Sequence, residues 1–154
     1  MRPLLRPTCR NTQNTLMIGE AYTMSNTLLL IEDNLDCARM VQKLLTPLGY
    51  VVQHAANGLA GLELARQLMY DTALKLILVD INLPDLSGNV ITLQIRHSYR
   101  FSTVPIIAFT AETSPKVRRL AMGYGCDGLL AKPIDTQAFP GQIEEFLKAK
   151  QSHV

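Results

Sequence analysis

Residues 76–88 read Leu76-Ile77-Leu78-Val79-Asp80-Ile81-Asn82-Leu83-Pro84-Asp85-Leu86-Ser87-Gly88, an apolar run that stops at an aspartate and breaks into a turn holding Pro, Ser and Gly. A run this short, bounded by turn residues, has the form of a strand buried on both faces. Three further runs end in the same manner. Leu28 to Ile31 leads into Glu32 and Asp33, Ile106 to Phe109 into Thr110, and Leu129 to Ala131 into Lys132 and Pro133. In an open parallel sheet, ligands bind outside the carboxyl ends of the strands. The four runs therefore predict one crevice holding three carboxylates, a hydroxyl and an ammonium.

Helical patterns separate the runs. After a first strand at Thr27 to Ile31, Leu35, Ala38, Val41, Leu44 and Leu45 keep helical spacing, and Pro47 and Gly49 close that helix. Tyr50 to Ala55 reads as the second strand, and Asn57-Gly58 turns into a helix with Leu59, Leu62, Ala65 and Leu68 on one face. The third strand, Leu76 to Val79, precedes a helix over about Asn89 to His97. The fourth, Ile106 to Phe109, precedes Ser114-Pro115, an N-cap and first-turn signal for a helix through Met122. The fifth strand is Leu129 to Ala131. Pro140 is costly inside a helix, so a turn is expected at Asp135 to Ala138 and the last helix from about Pro140 to Lys150. Five such βα units predict an α/β fold with a doubly wound parallel sheet.

The bulk numbers agree with a single domain. The chain has 154 residues, 47% hydrophobic and 18% charged, with no Trp, so its core rests on Leu, Ile, Val and Ala. A formal charge of +2 gives no case for nucleic acid, and Arg96, Arg100, Lys116, Arg118 and Arg119 read as solvated surface. Cys9, Cys37 and Cys126 show neither CxxC nor metal-ligand spacing; Cys37 and Cys126 are expected to be reduced, in a cytoplasmic protein. No run reaches the ~20 apolar residues of a membrane span. Residues 1–25, with Pro3, Pro7 and three arginines, are expected to form a disordered extension, residues 26–150 the domain, and residues 151–154 a tail. Met24 stands just before the first strand and is the expected natural start, against the alternative of a functional basic tail.

The predicted crevice suits phosphoryl transfer. Glu32, Asp33 and Asp80 cannot all ionise at close range without raising at least one pKa, and a divalent cation such as Mg²⁺ relieves that repulsion. Asp80, fixed at a strand end, can attack phosphorus. Thr110 offers a hydroxyl donor and Lys132 a point charge for the phosphoryl oxygens. Each residue alone has a plainer reading: Asp80 as a turn cap, Glu32-Asp33 as helix N-terminal charge, Thr110 as an ordinary strand residue, Lys132-Pro133 as a loop. All four plain readings would have to hold at once.

Residues 28–34 (LLLIEDN), 76–88, 105–111 (PIIAFTA) and 130–134 (LAKPI), in this order, resemble a response-regulator receiver domain over roughly residues 26–150. The resemblance implies a flavodoxin-like fold with strand order 2-1-3-4-5 and five helices. It implies Asp80 as phosphoacceptor, served by a sensor histidine kinase or a histidine phosphotransfer protein. It places Mg²⁺ on Glu32, Asp33, Asp80 and the backbone carbonyl of Asn82, sets Thr110 and Lys132 on the phosphoryl oxygens, and makes the Lys132–Pro133 bond cis. Asn82 and Glu112, two residues beyond Asp80 and Thr110, stand where the family tunes dephosphorylation. Leu129 departs from the family, which carries Tyr or Phe there as a rotamer signal; coupling through that flip is lost, or Leu129 is plain core.

With no room for an attached output domain, the expected protein is a stand-alone, single-domain response regulator. It acts on an unknown downstream protein, without nucleic acid or membrane, and has no enzymatic activity beyond its own phosphorylation and dephosphorylation. Two other readings compete. A phosphate-independent scaffold would keep the pocket as structure. An aspartyl-phosphate phosphatase would carry a second Asp two residues after the nucleophile, where this chain has Asn82.

Overall fold

Strands made of uninterrupted apolar residues need cover on both faces, and the chain supplies it. In a computed structural model describing residues 26–99 and 103–151, five parallel strands lie in the order β2-β1-β3-β4-β5. They are β1 (Asn26–Ile31), β2 (Tyr50–Ala55), β3 (Leu74–Asp80), β4 (Ile106–Thr110) and β5 (Gly128–Ala131). The helices are α1 (Leu35–Leu45), α2 (Gly58–Leu68), α3 (Gly88–Ser98), α4 (Pro115–Tyr124) and α5 (Phe139–Gln151). The doubly wound α/β fold and its strand order are as expected. The tail readings on residues 1–25 and 152–154, including Met24 and Cys9, and the surface reading of Arg100 lie outside the described residues.

Side-chain alternation along the strands divides the interior into two cores. Leu28, Leu30, Leu76, Leu78, Ile107, Phe109 and Leu130 pack with Ala38, Val41 and Leu45 of α1 and with Phe139 and Ile143 of α5. Leu29, Ile31, Ile77, Val79, Ile106, Ala108 and Leu129 pack with Ala65 of α2, Ile91 and Ile95 of α3 and Ala121 of α4. Two layers of helix thus close over the central strands and leave their ends open, while the edge strand β2 keeps Val51 and Gln53 exposed.

Most boundaries fall within two residues of the periodicity. β3 begins at Leu74 rather than Leu76, because Lys75 interrupts the apolar run while its Nζ reaches the Thr72 carbonyl at 2.9 Å. After α1 a short 3₁₀ turn, Thr46–Leu48, holds Pro47 before Gly49 takes φ +91°. The Asp135 carboxylate caps the turn expected there by accepting from the Gln137 and Ala138 N–H groups. α5 then starts at Phe139, which puts Pro140 in the first turn, where a missing N–H costs nothing.

One surface reading is corrected. Arg96 is no solvated residue: its guanidinium donates to the carbonyls of Gly125 (3.0 Å) and Val104 (2.9 Å) and to Asp127 (2.6 Å). Asp127 also accepts from the Ile106 N–H and from Lys150 on α5. This network ties α3, α5 and the start of β4 together at the amino end of the sheet, opposite the open crevice. Lys116, Arg118 and Arg119 are exposed, as expected. Among the described residues, Cys37 and Cys126 are both free. Among the described residues, no helix is long and apolar enough to cross a membrane.

Candidate functional site

Strand register brings the predicted residues level with one another. Ile31 pairs with Val79, so Glu32 stands beside Asp80. Asp80 pairs with Phe109 and Thr110 with Ala131, which sets Thr110 one step and Lys132 two steps farther out than Asp80. Glu32, Asp80 and Thr110 are buried while Asp33 is exposed. A one-residue slip of any strand would turn its functional side chain to the opposite face.

The Lys132 ammonium lies 2.5 Å from Glu32 Oε2 and 3.1 Å from Asp80 Oδ2, and 4.8 Å from the centre of the Phe109 ring. The other Asp80 oxygen, Oδ1, accepts from the Asn82 N–H at 2.9 Å, so the carboxylate is fixed in direction by both its atoms. Glu32 Oε1 accepts from the Asn34 N–H at 3.0 Å. Its Oε2 accepts no well-angled hydrogen bond, and only the Lys132 charge meets it. Asn34 in turn caps α1 by accepting from the Cys37 N–H. His54 Nε2 donates to the Glu32 carbonyl at 2.7 Å, joining the edge strand β2 to the acidic loop.

Burial pushes the Glu32 carboxyl above the usual range; Lys132 and the Asn34 N–H pull against it, and the Asp80 charge adds to the rise. The expected rise is therefore present, but burial rather than like charge is its leading cause. For Lys132 burial acts downward, yet Glu32 and Asp80 outweigh it and hold the ammonium above its ordinary value. The Cys37 thiol is pushed up to about 11, first by burial and then by Glu32, which leaves it protonated and unreactive at neutral pH.

One oxygen from each of Glu32, Asp33 and Asp80 lies within 4.8 Å of the others. Three carboxylates this close together, two of them buried and, among the described residues, only one cation, Lys132, against them, are a fitting set of hard oxygen donors for Mg²⁺. On the other wall, Thr110 Oγ1 accepts from the Glu112 N–H at 3.1 Å, which fixes the first turn after β4. The Lys132–Pro133 bond is cis. Leu129 is 8% exposed and packs in the core on the α4 side of the sheet.

Sequence reasoning passed over Asp85. Its two carboxylate oxygens accept from the N–H groups of Gly58 (2.8 Å) and Leu59 (2.9 Å), clamping the loop after β3 to the N-terminus of α2. Asn57 already serves the Ala60 N–H there, so Asp85 takes two of the remaining orphan donors. The available signal was a helix beginning Asn-Gly with no acid in its first turn. Those two N–H groups, Leu59 first, hold the Asp85 carboxyl below its ordinary 3.8. A depressed acid stabilises above its unfolded pKa, and that contribution disappears as pH falls through the folded value. At neutral pH, Asp85→Asn is expected to speed amide exchange at Gly58 and Leu59 relative to wild type, with the gap closing in acid. Equal exchange in the two proteins at neutral pH would rule the clamp out.

Comparison with known proteins agrees with this geometry. A family model of the response regulator receiver domain matches residues 28–144. The polar-differentiation response regulator DivK of Brucella anthropi is 32% identical over 124 residues, which span 80% of this chain and 98% of DivK. The probable transcriptional regulator ycf29 of Pyropia yezoensis is 34% identical over 112 residues, 73% of this chain and 49% of that protein. Response regulator ArlR of Staphylococcus epidermidis is 32% identical over 121 residues, 79% of this chain and 52% of ArlR. The chain thus spans about half the length of these last two relatives. Among solved structures, the Vibrio cholerae chemotaxis protein CheY4 superposes with a TM-score of 0.72 at 26% identity, covering 80% of this chain and 99% of that one. A buried Glu32 beside an exposed Asp33, an aspartate closing β3, a threonine closing β4 and a lysine before a cis proline gather at one end of a 2-1-3-4-5 sheet, and with the family model matching residues 28–144 the chain belongs to the response-regulator receiver family.

Proposed function

We propose that the chain is a phosphorylation-driven signalling switch, accepting a phosphoryl group on Asp80 from a phosphohistidine of a sensor kinase or phosphotransfer protein. The observation that carries this is the aim of Asp80: one carboxylate oxygen is held by the Asn82 N–H and the other faces Lys132, with Glu32 and Asp33 alongside. An Asp80 oxygen attacks phosphorus as the N–P bond of the donor breaks, and the imidazole nitrogen keeps the bonding pair. Glu32, Asp33, Asp80 and the Asn82 carbonyl would hold Mg²⁺, whose charge offsets that of the incoming phosphoryl oxygens. Lys132 and Thr110 take two of those oxygens, which moves the Lys132 ammonium away from its present carboxylate partners.

Asn82 and Glu112 flank the reacting carboxylate and the Thr110 hydroxyl, and both side chains can orient the water that ends the phosphorylated state. With Leu129 at the position of the family's aromatic, no ring flip reports phosphorylation. Output then passes through the Thr110 loop to the helices that follow it and on to a partner protein. The match to the response regulator DivK over nearly its whole length supports a signalling role.

Incubation with Mg²⁺ and acetyl phosphate, followed by intact-mass measurement, tests the proposal. One added phosphoryl group in wild type and none in Asp80→Asn is expected, with the adduct decaying once the donor is removed. Continuous turnover of phosphomonoesters would instead make the protein a phosphatase, and no adduct from any donor would make it a scaffold. An adduct that persists for many hours with Mg²⁺ would count against the roles given to Asn82 and Glu112.

A further inference from the structure

The face between α3 and α4 has no part in the phosphoryl site, yet it carries an open groove of about 380 Å³. Lys116, Arg119, Leu120, Gly123 and Tyr124 line it from α4, a stripe spaced at three and four residues along one helix face, with Leu93 of α3 opposite. Leu93 and Leu120 are 48% and 47% exposed, large apolar groups left without cover.

The charge on this face is one-sided. α4 carries Lys116, Arg118 and Arg119 and no acidic residue. Arg39, Arg66, Arg96, Lys132 and Lys150 each meet a carboxylate, whereas among the described residues Lys116 and Arg119 form no ion pair. Gly123 adds an independent observation. It lies inside α4, where glycine weakens a helix relative to alanine, and a Cβ built there has nothing within 4 Å. No packing within the chain calls for a missing side chain at that point; what it provides is depth at the centre of the groove.

We propose that the α3–α4 groove docks an acidic amphipathic helix of a partner protein, with large apolar side chains over Leu93, Leu120 and Gly123 and carboxylates on Lys116 and Arg119. Helix-in-groove binding needs a hydrophobic trough to take spaced anchors, and the charged rim sets the sign of the partner. This docking does not require phosphorylated Asp80, so it stands apart from the proposed phosphoryl transfer.

The test is a selection from a displayed library of amphipathic helical peptides, with the full chain as bait, followed by NMR mapping of the enriched peptides. The expected peptides are rich in Glu or Asp with Leu or Phe at i and i+4, and they shift the amides of Leu93, Leu120, Gly123 and Tyr124. Reversing the rim charges in a Lys116→Glu, Arg119→Glu double variant should weaken binding by about tenfold or more, and added salt should weaken it in wild type. Gly123→Leu fills the groove from within, and should abolish binding while leaving thermal stability equal or higher. Four results would overturn the proposal: no enriched peptide, neutral or basic peptides, shifts mapping to another face, or binding untouched by Gly123→Leu. Binding only to vesicles of equal parts phosphatidylcholine and phosphatidylglycerol would also overturn it, in favour of a membrane surface.

Discussion

Gly88→Ala is expected to destabilise the protein by about 3 kcal/mol or more, a large share of the roughly 5–15 kcal/mol that separates folded from unfolded domains. Gly88 opens α3 directly below the end of β3, which Asp80 closes. A Cβ placed there would overlap the Asp80 carbonyl oxygen and lie 2.8 Å from both the Asp80 carbonyl carbon and the Ile81 Cα. These obstacles are backbone atoms, so no side chain can rotate aside. Gly88 cannot retreat either: its N–H donates to the Ile81 carbonyl at 2.9 Å, and its own carbonyl accepts from the Thr92 hydroxyl at 2.9 Å. Relief must come from the end of β3 itself, which moves Asp80. Urea unfolding followed by far-UV circular dichroism measures the loss, since the chain has no Trp to report by fluorescence. Gly123→Ala is the control, expected to stabilise by up to about 1 kcal/mol because the space beside it is empty. A Gly88→Ala midpoint within about 0.5 kcal/mol of wild type would refute the steric account.

Much of this arrangement was legible in the sequence, for a reason specific to parallel sheets. When both faces of a strand are covered, the strand becomes a continuous apolar run, and its end is marked by the first polar residue. Ile31-Glu32, Val79-Asp80, Phe109-Thr110 and Ala131-Lys132 are four such marks, and each falls at or within one residue of an observed strand end. The same logic failed at the start of β3, where Lys75 breaks the apolar run and falls at an irregularity in the pairing with β1, between Leu74 opposite Thr27 and Leu76 opposite Leu28.

Contacts between residues far apart in sequence were illegible. Asp85 reaches Gly58 and Leu59 across 27 and 26 positions, and Arg96 reaches Asp127 across 31. Neither pairing leaves a local pattern, and an arginine in the last turn of a helix reads as ordinary dipole compensation. The cause of the Glu32 shift was hidden in the same way. Like charge is visible in a sequence, whereas the complete burial of that side chain follows only from the sheet order that encloses β1 between β2 and β3.

Lys132→Met is expected to cost about 3–5 kcal/mol at neutral pH without Mg²⁺, because removing one member of a buried charge cluster strands the others. Glu32 and Asp80 are almost wholly buried, and Lys132 is the cation both of them meet. Methionine keeps most of the stem's volume, so the loss reports charge rather than a cavity. Two dependences separate this from general damage. The first is pH: Glu32 is already raised above 4.5 with the ammonium in place, and the variant raises it further. A raised acid gives stability that is complete below its unfolded pKa and is lost as pH climbs through the folded value. The variant's deficit should therefore be largest near neutrality and shrink toward pH 4.5. The second is Mg²⁺. On the proposed ligand set the ammonium and the metal would draw on the same carboxylates, so in wild type metal binding would work against a charge already there, and in the variant it would replace the missing one. Saturating Mg²⁺ should therefore raise the unfolding temperature of Lys132→Met more than that of wild type. A metal-induced shift equal to or smaller than that of wild type would show that Lys132 and Mg²⁺ do not share the Glu32–Asp80 pair.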